Sequence, residues 1–152
     1  MTLVLPLIAA LSYLIASFAA LTPAARPERL RWVAPLGVVA FAAHLVPLVL
    51  RGRHHGPDLQ FFSAFSLVAA ACVLVLLILM QWQRLQRLAA VVFPIAAMAV
   101  VAAFAFDRGP GASPIGDWRI ATHALLALLA FATLAIAAVV AIQLGVQDHA
   151  LR

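Results

Sequence analysis

The sequence predicts an all-α integral membrane bundle of five helices, and three observations carry that prediction. Of its 152 residues, 66% are hydrophobic and 10% charged, with a mean hydropathy of +1.11. Soluble domains are about 45–50% apolar and about 25% charged. A chain this short has too little interior to hide so much apolar side chain from water. Second, the apolar residues fall into runs near the roughly 20 residues that a helix needs to cross the hydrocarbon. Third, the runs are joined by short polar links. Together these make the bilayer the solvent.

The first run, residues 3–22, opens MTLVLPLIAALSYLIASFAAL and lacks a basic start. Its apolar length exceeds the 7–15 residues of a signal-peptide core, so a retained helix is expected. The remaining helices are expected at about 32–50, 61–82, 88–106 and 119–146, separated by PAARPERLR, RGRHHGPDLQ, QRLQR and DRGPGASPIGDW. Trp32, Trp82 and Trp118 stand at run ends, where an aromatic belt would place them. With no internal repeat, residues 1–152 read as a single transmembrane domain.

The net charge of +5 would suggest nucleic acid in a soluble protein. Here every basic residue is arginine, and most sit at run ends rather than along one face, so no nucleic-acid partner is expected. Arg26, Arg29, Arg31, Arg84, Arg87 and Arg152 fall on one side of the bilayer. Arg51, Arg53, Arg108 and Arg119 fall on the other. The bias predicts an external N-terminus and a cytoplasmic C-terminus. The single cysteine, Cys72, lies within a run and reads as a small packing residue.

Only His44 and His123 place an ionisable group inside the expected spans, and such residues point by default to a functional site. His44 lies six residues before Leu50, and His123 four residues after Arg119, so both should sit roughly 6–9 Å below the same surface. Zinc normally takes three or four protein ligands, and no third donor lies at that depth. Haem iron needs only two, so a bis-histidine haem is the expected metal centre. Arg119 is one turn from His123, and Arg51 two turns from His44; both suit the propionates. Pro47, three residues past His44, should loosen the helix there.

Plainer readings stand beside these. A membrane histidine can simply hydrogen-bond a neighbouring helix, and terminal arginines can snorkel. The pair His54-His55 reads as a solvated loop, and Thr133, Ala137, Ala141 and Gly145 as a packing stripe. A proton-relaying permease would need polar groups deeper down, and Gln143 is the only obvious one. No Walker loop, HExxH or serine-nucleophile elbow is present, so no catalytic residue is assigned.

The stretch DWRIATHALLALLAFATLAIAAVVAIQLGVQDHALR resembles the histidine-bearing helix of the cytochrome c assembly family of haem-handling membrane proteins. The likeness is to the N-terminal portion of its short, YpjD/HemX-like bacterial branch. It rests on Trp118, His123 and Phe131-Ala132-Thr133-Leu134, with echoes in His44, Ser66-Leu67 and Pro94. Phe131 stands where the family often has tyrosine. The resemblance implies a multi-pass protein of the bacterial plasma membrane that holds or delivers haem during cytochrome c maturation. It implies His44 and His123 as haem ligands, and other assembly subunits as partners beside the lipid. A cofactor-free scaffold, or a regulatory subunit as in haem biosynthesis, is the alternative.

Overall fold

The computed structural model describes residues 4–21, 27–55, 61–82, 85–106 and 118–151. Its described residues are helical throughout, apart from Leu85: α1 Val4–Leu21, α2 Pro27–His55, α3 Phe61–Trp82, a 3-10 turn at Gln86–Leu88, α4 Ala89–Phe106 and α5 Trp118–Leu151. All five α-helices contain a stretch long and apolar enough to cross a membrane. A helix satisfies every backbone group within itself, which hydrocarbon demands of any spanning segment.

Two helices outrun the expected spans. α2 begins at Pro27 and ends at His55, so the backbone of His54-His55 is helical rather than looped. α5 continues to Leu151. Hydropathy marks the apolar part alone, and a helix can carry on into the headgroup layer where the side chains turn polar. Pro35 and Pro47 lie within α2 without ending it. Each removes one internal hydrogen bond, a loss that neighbouring groups can make good in a packed membrane helix.

Helices α1 to α4 close a ring in which α1 packs on α2 and α4, and α3 packs on α2 and α4. The inward residues recur every three to four positions, as one helical face requires: Ala9, Tyr13, Ala16 and Ala20 on α1, and Val33, Gly37, Ala40 and His44 on α2. Lipid is as apolar as leucine, so burial gives little drive here, and small residues that let backbones approach take its place. Gly37 shows this most directly. A Cβ there would lie 2.7 Å from Phe93 Cζ and 3.0 Å from a Leu77 methyl, so only glycine lets α2 close on both neighbours. Ser17 adds a polar tie, its hydroxyl donating to the Ala90 carbonyl at 3.2 Å.

α5 stands outside this ring and packs chiefly on α3. Among its described residues Ala132 and Ile136 are buried, and the Cys72 thiol donates to the Ala132 carbonyl at 3.9 Å. Of its apolar span only 11% is buried, against 28% to 44% in the other four.

Candidate functional site

His44 sits on the inner stripe of α2 and is 1% exposed. Both ring nitrogens are engaged. Nε2 lies 2.8 Å from Ser66 Oγ on α3, and Nδ1 lies 3.3 Å from the Tyr13 hydroxyl on α1. A neutral imidazole donates through one nitrogen and accepts through the other, and both hydroxyls can play either part. The triad is therefore satisfied with a neutral ring, and it joins three helices. Tyr13 is fully buried, meets the imidazole edge-on at 5.9 Å between centroids, and leans on Phe93 at 5.4 Å. Phe93 occupies the space that Gly37 leaves open. One packed column thus fixes the histidine.

Beside it lies a cavity of about 90 Å³, lined by His44, Ser63, Ser66 and apolar side chains that include Pro47 and Phe104. At about 30 Å³ of liquid volume each, roughly three waters would fill it. Sites for organic ligands are several times larger, about 300–1,000 Å³.

His123 has a different setting. It is exposed, nine residues before the buried Ala132. At about 100° per residue those nine steps turn half-way round the helix. Ala132 faces α3, so the imidazole projects away from the bundle. Arg119, one turn earlier, is exposed on the same side. The end of the bundle does agree with expectation. Val140 and Gln143 lie beside Leu85 and Leu88, so α5 starts at the opposite end, in the half of the bundle that holds His44. The shared side survives, but the described contacts do not bring His44 and His123 together. Arg51 lies in α2, and its side chain is outside the described residues.

As packed, then, the ring of α1 to α4 does not fit a haem at His44. The neighbouring cavity is too small, and both ring nitrogens are already held, by Ser66 and Tyr13. Among the described residues no group of three or more metal-binding side chains forms either.

Residues 30–152 match the family model described as Cytochrome C assembly protein. The chain belongs to the cytochrome c assembly family. The match covers most of the protein and takes in both histidines, α2 almost whole and all of α3, α4 and α5. No curated protein and no solved structure matches. Family membership and five apolar helices make this a multi-pass membrane protein with a role in cytochrome c maturation.

Sequence reasoning singled out His44 but missed Tyr13 as its partner. The signal was present, since Tyr13 is the only tyrosine and lies in a helix whose other residues are apolar but for two serines. A hydroxyl placed there needs a hydrogen-bond partner.

Proposed function

We propose that this member of the cytochrome c assembly family handles haem at the outer side of the bacterial plasma membrane, with the N-terminus external. The observation that supports this reading is the exposed pair of Arg119 and His123 on the open face of α5, inside a family match. A neutral imidazole supplies an iron ligand, and a guanidinium one turn away supplies a propionate partner. The face is open, so a further helix or another assembly subunit can close over a flat, amphiphilic ligand held there.

His44 and Arg51 form an auxiliary pair in this proposal, not needed for the first capture of haem at α5. For His44 to take part, its bond to Ser66 or Tyr13 has to break, so it serves only a rearranged state. In the packed state its work is structural. A short branch of the family, YpjD/HemX-like, is the kind of member this reading describes.

The test is an absorption spectrum of the detergent-purified protein, before and after adding haem. The expected result is a Soret band that His123→Ala removes and Arg119→Gln weakens. A protein that stays colourless with excess haem would overturn the reading.

A second reading has its own observation in support. The two hydrogen bonds of His44 satisfy it completely within the bundle, as in a cofactor-free scaffold or a regulatory subunit. That reading predicts the colourless outcome, together with co-purification of other assembly subunits.

A further inference from the structure

At the end of the bundle away from His44, α5 stands off from the 3-10 turn and the start of α2. Between them lies a cavity of about 420 Å³, within the range of organic-ligand sites. Leu30, Leu85, Leu88, Val140 and Leu144 give it apolar walls, and Gln86, Arg87, Gln143 and Gln147 give it polar ones.

The placing of the glutamines is the informative feature. The packed stripe of α5 runs through Ala132, Ile136 and Val139, and at about 100° per residue Gln143 falls within about 20° of Ala132. Gln147 follows one turn later. The stripe that meets α3 with apolar side chains therefore turns to amides where it meets the cavity. Gln143 is half-buried and Gln147 exposed, and a half-buried amide at the edge of the hydrocarbon needs a polar partner. Across the gap the turn presents Gln86 and Arg87. Asp148 lies on the far side of α5, at about 160° from Ala132. The described arginines at this end are Arg31 and Arg87. Trp32 marks it as the interfacial level, and the Arg31 guanidinium lies 5.8 Å from its ring centre.

We infer that this wedge binds the headgroup of an anionic phospholipid, with Arg87 on the phosphate, the glutamine amides on its oxygens and the glycerol, and the leucines against the first acyl carbons. Basic pockets between membrane helices are known to take such headgroups. The bound lipid fills the gap and ties α5 to the 3-10 turn and α2, contacts that the protein otherwise barely makes.

The experiment uses the full chain, delipidated in detergent and titrated with phosphatidylglycerol, phosphatidylcholine or inorganic phosphate, with melting temperature and native mass spectrometry as readouts. Phosphatidylglycerol should raise the melting temperature and give a one-lipid adduct, and the other two should do neither. Arg87→Gln should weaken the adduct about fivefold, the worth of one interfacial cation. Leu144→Trp, which fills the wedge, should abolish it. Arg31→Gln removes an equal charge at the same end, outside the wedge, and should leave it in place. Equal binding of phosphatidylcholine would overturn the proposal, as would an equal shift with phosphate alone. So would equal losses in Arg31→Gln and Arg87→Gln, since general surface charge would then account for the binding.

Discussion

His44 and Ser66 face each other across the α2–α3 interface at 2.8 Å, with the Tyr13 hydroxyl on the other ring nitrogen. In hydrocarbon the alternative to these bonds is an unsatisfied imidazole, not a hydrated one. Removing one partner should therefore cost more than the bond is worth in water. Ser66→Ala is expected to destabilise the bundle by about 1–3 kcal/mol, the penalty of a buried group left unpaired. Replacing both partners, as in His44→Leu with Ser66→Ala, should cost less than the sum of the single changes. Detergent melting of the three variants checks this. Additive losses would show that the bond contributes nothing.

Gly37 and Phe93 form the second constraint on the same column. A methyl at Gly37 would meet the Phe93 ring at 2.7 Å, and that ring is fully buried against Tyr13. Gly37→Ala should destabilise by about 1–3 kcal/mol, the usual cost of overpacking. Adding Phe93→Leu should recover part of the loss by making room. A Gly37→Ala protein as stable as the parent would mean that α2 and α4 do not approach this closely.

The number and order of the helices were legible because hydropathy and length report directly on the bilayer. Their ends were less so, as α2 and α5 show by running past their apolar stretches. His44 could be picked out as a lone imidazole among apolar neighbours, but its direction depends on which face α2 buries. That face is chosen by Gly37, Ala40 and the partners on α1 and α3, which no pattern within α2 reveals. His123 is the clearer lesson. Its depth followed from counting residues, whereas its azimuth depended on Ala132 and Ile136 being the residues that meet α3. From Ala124 to Ile142 every residue of α5 is apolar or small, so that stretch of sequence offers no contrast between its faces.

The stripe of Thr133, Ala137, Ala141 and Gly145 lies on the outward side of α5. Each of the four is exposed, and a Cβ at Gly145 would touch nothing within 4 Å. Thr133 satisfies its own hydroxyl by donating to the Leu129 carbonyl at 2.8 Å. In the isolated protein these positions should tolerate bulk. Gly145→Leu is expected to change stability by less than about 0.5 kcal/mol, as for other surface sites. Ala96→Leu, at a fully buried position on α4, should cost about 1–3 kcal/mol. Equal losses at the two positions would show that another helix already covers the α5 face.

The two histidines make opposite predictions, because one is buried and bonded while the other is open. If haem is taken up at the outward face of α5, His123→Ala should lower affinity at least tenfold and leave the melting temperature nearly unchanged. His44→Ala should do the reverse. It would strip Tyr13 and Ser66 of their shared partner, lowering stability by about 1–3 kcal/mol while leaving most of the haem affinity in place. Titrating haem by absorbance, and melting each variant without haem, separates the two effects. If instead His44→Ala abolished haem binding in a protein that still melted normally, the imidazole would have left Ser66 for the iron. The packed triad would then be only the resting form of the site.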